Sequence, residues 1–120
     1  MSATNIAFYR KLGRSDLTVS AMGLGCWAIG GPWNWLDGQG GWGDVDDNES
    51  IRAIHTALDL GVNFFDTAIT YGTGHSESLL GKALAGKRDQ VVLASKFGFD
   101  VNTQEKQVWF RKDEDRKSVV

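Results

Sequence analysis

The chain has 120 residues, 42% of them hydrophobic, a formal net charge of -2 and one cysteine, a profile that suits a single soluble globular domain with a modest core. The near-neutral balance offers no basic footprint for nucleic acid, no apolar run approaches the roughly 18 residues a membrane span needs, and Met1 to Phe8 lacks a cationic segment followed by an apolar one. Cys26 alone permits neither an internal disulfide nor a thiolate metal cluster, and the expected setting is the reducing cytoplasm.

Tyr9 to Leu12 and Thr18 to Ala21 flank the turn segment Gly13-Arg14-Ser15-Asp16, which predicts an amino-terminal β-hairpin. Met22 to Trp27 is a short apolar run suited to a buried strand, and Ala28 to Gly43, rich in glycine and tryptophan, predicts a loop. Asp46 or Asp47 caps the next helix, with Glu49 in its first turn, Ile51, Ile54 and Leu58 on one face and Gly61 past its end. Asn63 to Asp66 reads as a second strand. After the loop Thr67 to His75, Ser76 is placed to cap a helix with Leu79, Leu80, Ala83 and Leu84 inward, stopped by Gly86. Val91 to Ser95 predicts a third strand, and Phe99 to Val120 is polar without clear periodicity. Strands alternating with helices of this length define an α/β fold with a parallel sheet.

Several motifs fail on context. Gly23-x-Gly25-x-x-Ala28 matches a loose dinucleotide fingerprint with Asp44 near the position of the ribose acid, but Ile29-Gly30-Gly31-Pro32 cannot open the helix such a site needs. Asp44-x-Asp46-x-Asn48 begins like a calcium loop, yet Glu49 stands where the sharp-turn glycine belongs and His55 where the bidentate glutamate belongs. Gly74-x-Ser76-x-Ser78 lacks the second glycine of a nucleophile elbow. His55 and His75 have no metal-ligand spacing with Cys26 or each other, so no metal is expected; His55 reads as an ordinary helix residue and His75 as loop surface.

Asp66 ends an apolar strand, Tyr71 follows one short loop later, and Lys96 ends the next strand. Parallel strands joined by crossover helices bring such ends to one face, the face that carries the chemistry in (β/α)8 barrels. The same spacing also fits a turn-capping Asp66, a loop-packed Tyr71 and a solvated Lys96, and spacing alone does not choose.

A series of ordered motifs carries a resemblance: Tyr9-Arg10-Lys11-Leu12-Gly13 with Val19-Ser20, Gly23-Leu24-Gly25-Cys26-Trp27, Asn63-Phe64-Phe65-Asp66-Thr67-Ala68, Tyr71-Gly72, Ser76-Glu77, Leu80-Gly81 and Ala94-Ser95-Lys96-Phe97-Gly98. Together they resemble the amino-terminal part of the aldo-keto reductase family. Gly41-Trp42-Gly43 and Asp46-Asp47 resemble its bacterial stress-protein group more closely. The resemblance implies NADPH-dependent reduction of an aldehyde or ketone on a (β/α)8 barrel, with Tyr71 as proton donor. It implies Lys96 as the cation that stabilises the phenolate and Asp66 as the carboxylate that holds Lys96. It further implies Gly25, Cys26, Trp27 and Asp66 beside the cofactor, and Trp27 and Tyr71 at the substrate pocket. A free phenol titrates near about 10, which is why a neighbouring ammonium matters to such a donor.

The same resemblance divides the chain into a hairpin over 1–21, three barrel strands with their helices over 22–98 and a polar tail over 99–120. Eight strands and about 250 residues make such a barrel, so the expectation is an incomplete barrel, inactive alone and prone to self-association at its unpaired edge. The family's histidine at the end of the following strand is not in this sequence. An alternative is a non-catalytic regulatory or interaction protein on the same fold, with Trp33, Trp35 and Trp42 exposed for a partner.

Overall fold

The computed structural model describes residues 8–35 and 38–97, so the polar tail lies outside the described residues. Strands β1 (Tyr9–Lys11) and β2 (Thr18–Ser20) form the expected hairpin, with Tyr9 opposite Ser20 and Lys11 opposite Thr18. Its turn uses Gly13 at φ 56°, a left-handed backbone that glycine adopts at little cost. Strand β3 is Leu24–Gly25, shorter than the run Met22 to Trp27. Met22 is 70% exposed and does not join the ladder, and after Gly25 the chain turns into a 3₁₀ segment, Ala28–Gly30.

The tryptophan-rich stretch is not simply a loop. Strands β4 (Trp33–Trp35) and β5 (Gly38–Gly40) pair antiparallel, Trp33 opposite Gly40. The cause is a glycine covered by an aromatic ring: a Cβ on Gly40 would stand 2.3 Å from the Trp33 indole, so only glycine lets that ring lie across the partner strand. Trp33 is consequently half-buried rather than exposed, whereas Trp42 is 75% exposed.

Helix α1 (Asp47–Asp59) is capped by Asp46, whose carboxylate accepts hydrogen bonds from the Asn48 and Glu49 amides at 2.8 and 3.3 Å. It ends through Gly61 at φ 92°, as the sequence indicates. Strand β6 (Phe64–Asp66) follows, then helix α2 (His75–Ala83) and strand β7 (Val92–Ala94). Ser76 does not cap α2. The cap position is Gly74 at φ 96°, and Ser76 is wholly buried inside the first turn. His75 likewise belongs to the helix, and its Nε2 lies 2.8 Å from Asp47 Oδ1 at the head of α1.

The order β3-β6-β7 is all parallel, with Leu24 and Gly25 opposite Phe65 and Asp66, and Phe65 and Asp66 opposite Leu93 and Ala94. Phe65 points to the helices and joins Cys26, Ile54, Leu80, Ala83, Leu84 and Val91 in the core. Each large side chain of this set contributes roughly 1.5–3 kcal/mol by leaving water. Across the helix pair, His55 Nε2 is 2.8 Å from the Ala83 carbonyl. Asn63 ties the hairpin to the amino-terminal end of the sheet, accepting from Ser20 N at 2.7 Å and donating to the Thr18 carbonyl at 3.0 Å. The carboxyl ends of the strands are thereby left clear. Among the described residues no group of His, Cys, Asp or Glu side chains is disposed to hold a metal, and no helix is long and apolar enough to cross a membrane.

Candidate active site

Because the three strands are parallel, Asp66 at the end of β6 and Lys96 just past β7 emerge on one rim of the sheet. The β6–α2 loop returns Tyr71 to the same place. Lys96 Nζ donates to Asp66 Oδ2 at 2.9 Å and Oδ1 at 3.1 Å, to the Thr67 carbonyl at 3.0 Å and to Tyr71 Oη at 3.1 Å. An ammonium has three protons, so the carboxylate, the carbonyl and the phenol account for all of them. Burial is the largest single influence on Lys96 and lowers its affinity for a proton. Hydrogen bonds and charge from Asp66 and Tyr71 together outweigh it and hold the group above its ordinary value. Lys96 therefore stays a cation throughout the neutral range. The stability tied to this shift is present below the ordinary lysine value and is lost as pH rises through the folded one.

The loop that presents Tyr71 is strained. Gly72, Thr73 and Gly74 are all left-handed, at φ 63°, 53° and 96°, and threonine is β-branched, for which that conformation is an outlier. Three such residues in succession turn the chain from Tyr71 directly into α2. Gly72 also lies flat on Gly30: a Cβ at 72 would stand 2.0 Å from the Gly30 carbonyl oxygen, and one at 30 would stand 2.8 Å from the Tyr71 carbonyl carbon. Two glycines face to face thus set how deep the tyrosine sits. Neither contact is visible in the sequence, although Gly30 and Gly72 each stand in motifs that can be read from it.

Trp27 stacks on Tyr71 with centroids 6.3 Å apart and planes 29° from parallel, and Trp42 leans on Trp27 at 5.6 Å. Trp27 is 43% exposed, so this aromatic wall faces outward beside the phenol rather than filling the core. Gly25 lies in register with Asp66, and a Cβ there would meet nothing within 4 Å. A depression of about 340 Å³ lies between the hairpin and the sheet, lined by Arg10, Lys11, Val19 and Ala21 as well as by Gly25, Phe64 and Asp66. Cys26 behaves differently from its neighbours. Its side chain is fully buried, its amide donates to the Asp66 carbonyl at 2.8 Å and its carbonyl accepts from Ser76 Oγ at 2.8 Å. Burial first, and the Asp66 charge second, push its thiol up to about 11 against a smaller opposing effect of Lys96. At pH 8 a thiol reagent should therefore label the native chain at least about a hundredfold more slowly than the denatured chain, which stopped-time absorbance assays would show. Comparable rates would mean that Cys26 is neither buried nor held protonated.

Two further side chains at this rim escape sequence reading. Glu77 Oε1 accepts from Ser95 Oγ at 2.6 Å, bracing the residue next to Lys96. Thr67 Oγ1 lies 2.9 Å from Ser76 Oγ beneath the loop.

Comparison with known proteins agrees with this architecture. The family model described as "Aldo/keto reductase family" matches residues 21–119. The NADH-specific methylglyoxal reductase of Escherichia coli is 42% identical over 104 residues, covering 84% of this chain and 27% of that protein. The solved glycerol dehydrogenase AKR11B4 of Gluconobacter oxydans superposes with a TM-score of 0.67 at 40% identity, over 92% of this chain and 33% of that one. An aldo-keto reductase of Klebsiella pneumoniae, solved in complex with NADPH, superposes with a TM-score of 0.52 at 32% identity, over 67% of this chain and 24% of that one. The chain belongs to the aldo/keto reductase family of oxidoreductases, and its three parallel strands and two helices are part of that family's (β/α)8 barrel. It spans about a quarter of the length of the curated relatives it matches.

Proposed function

We propose that this chain carries the proton-donating part of an NADPH-dependent carbonyl reductase, with Tyr71 as the acid, Lys96 as the cation that stabilises its phenolate and Asp66 as the anchor of Lys96. The observation that carries the reading is that one ammonium nitrogen bonds the phenol at 3.1 Å and both carboxylate oxygens at 2.9 and 3.1 Å. Tyr71 holds a proton at Oη for transfer to a carbonyl oxygen, and Lys96 stabilises the negative charge this leaves on the phenol. Asp66 keeps the ammonium pointed at the phenol, and the Thr67 carbonyl restricts it further. Trp27 and Trp42 wall the outer side of the site, where they receive a small carbonyl compound.

The residues present fit a nicotinamide. The bare face of Gly25, in register with Asp66, leaves room for a flat ring against the backbone, and Trp27 lies beside it. Gly25, the backbone of Cys26, Trp27 and Asp66 would hold that end of the cofactor. When bound, the cofactor supplies the hydride. NADPH is assigned from the family resemblance and from the Klebsiella complex; the NADH-specific Escherichia relative makes competition between the two cofactors the direct check.

The test is carbonyl-dependent nicotinamide oxidation by the polypeptide completed to a full barrel, across a panel of aldehydes and ketones. Lys96→Met should lower kcat by about a hundredfold while the cofactor Kd changes little. Unaltered turnover would remove the ammonium from the mechanism. As an isolated 120-residue polypeptide the segment is proposed to be inactive, because three parallel strands cannot close the site that eight make. For the alternative of a non-catalytic interaction protein, Trp33 is packed on Gly40, Trp42 is exposed but leans on Trp27 beside Tyr71, and the side chain of Trp35 lies outside the described residues.

A further inference from the structure

Ser76 lies at the head of α2, fully buried, and bonds to the loop after β3 and to the loop after β6. Its amide donates to the Tyr71 carbonyl at 3.2 Å. Its hydroxyl donates to the Cys26 carbonyl at 2.8 Å, across fifty positions of sequence. With its single proton so used, Ser76 Oγ is the acceptor in its 2.9 Å contact with Thr67 Oγ1, and Thr67 is the donor. Thr67 is 3% exposed, and its carbonyl receives Lys96 Nζ at 3.0 Å. The hydroxyl therefore links the loop after β3 to the loop after β6 and, through Thr67, to the residue that holds the lysine, while the amide of the same residue holds the tyrosine.

A helix cap does not need this arrangement. Capping would use the hydroxyl on the amides of its own helix, and here it is turned away from them toward two other segments. Nor does packing need it, since a buried apolar group of similar size would fill the same volume without ordered hydroxyl bonds. What the bonds add is a fixed distance between the strand end at Cys26 and the strand end at Thr67. The backbone on both sides of the candidate hydride and proton sites depends on that distance.

We infer that Ser76 is a positioning residue of the reductase site, setting Tyr71 and the Lys96-bearing carbonyl against the Gly25–Trp27 backbone by way of Thr67 and Cys26. This rests on the carbonyl reductase reading. In the complete protein, Ser76→Ala should lower kcat roughly 10- to 100-fold, since displacement of reacting groups by about 1 Å can cost 10²-fold. The cofactor KM should stay within about twofold, and the solvent deuterium isotope effect on kcat should rise as proton transfer becomes slower than the other steps. Loss of folded protein alone would lower kcat in proportion to the unfolded fraction and leave the isotope effect as it was; that result, or an unchanged kcat, overturns the inference.

Thr67→Val removes the hydroxyl bond from the other side with little change in volume. It should reproduce the same combination, and the double variant should cost no more than the larger single one. Additive losses would show that the two hydroxyls act separately and would also overturn it. Tyr71→Phe is assayed in parallel. Full turnover by that variant defeats the reductase reading itself, whereas an inert Tyr71→Phe beside a normal Ser76→Ala defeats only the role given to Ser76.

Discussion

Tyr71→Phe is expected to lower kcat for carbonyl reduction by about 10²- to 10⁴-fold, the range over which a positioned general acid contributes. The substitution is unusually clean here. The phenylalanine ring retains the stack on Trp27, and the backbone of the loop is unchanged, so only the hydroxyl 3.1 Å from Lys96 Nζ is lost. Lys96 keeps its bonds to Asp66 and to the Thr67 carbonyl, which leaves no uncompensated charge behind. Melting temperature should accordingly move little, and cofactor titration by fluorescence quenching should give a Kd close to that of the parent. Near-parental turnover would show that another group supplies the proton. The alkaline side of the melting profile offers a second check. Part of what raises the lysine is its contact with the phenol, so in the variant the stability lost as pH rises through the folded lysine value should be smaller and complete at lower pH.

Gly72→Ala should be the most damaging alanine substitution among the described glycines, with a stability loss of about 2–4 kcal/mol together with roughly 100-fold lower turnover of what remains folded. Two costs combine. The residue sits at φ 63°, which any side chain makes unfavourable, and the new carbon would fall 2.0 Å from the Gly30 carbonyl oxygen, a backbone atom that cannot rotate out of the way. Relief requires the loop to lift off the 3₁₀ segment, and Tyr71 rises with it. Gly81→Ala is the matching control: its added carbon meets nothing within 4 Å in the last turn of α2, and the change should stabilise by up to about 0.5–1 kcal/mol. Thermal melts of both variants, read beside their kcat, separate a general intolerance of alanine from the specific contact. A Gly72→Ala protein as stable and active as the parent would mean that the Gly30–Gly72 contact does not set the loop.

The placement of the acid, the phenol and the cation at one rim follows from order and type of element. An apolar strand that ends in Asp66, a helix-length crossover and a second apolar strand that ends at Lys96 leave a parallel pairing with both ends on the same side, and a loop as short as Thr67 to Gly74 cannot carry Tyr71 far from it. Spacing alone left a turn-capping Asp66, a loop-packed Tyr71 and a solvated Lys96 equally open, and the ordered motifs of the aldo-keto reductase resemblance are what singled the three out. Helix α1 was legible because capping by Asp46 and termination at Gly61 depend on neighbours within four positions. Ser76 misled for the complementary reason. A serine ahead of an amphipathic run is a good local cap, but here glycine at 74 caps the helix two positions earlier and the hydroxyl finds partners at Cys26 and Thr67. The β4–β5 hairpin was missed because strands rich in glycine lack the alternation by which strands are recognised.

What the sequence by itself determined was which residues end strands and which open or close helices, since those choices are governed by interactions over a few positions and by the period of the apolar pattern. Together with the family resemblance, it pointed to Lys96 as the positive charge available to a tyrosine. Only the tertiary structure decided that the ammonium divides its three protons among a carboxylate, a carbonyl and a phenol, that Gly30 and Gly72 touch, and that a buried serine joins three segments. Those contacts link positions from nine to fifty apart, and their distances come from how helices pack on a twisted sheet, which no local preference encodes.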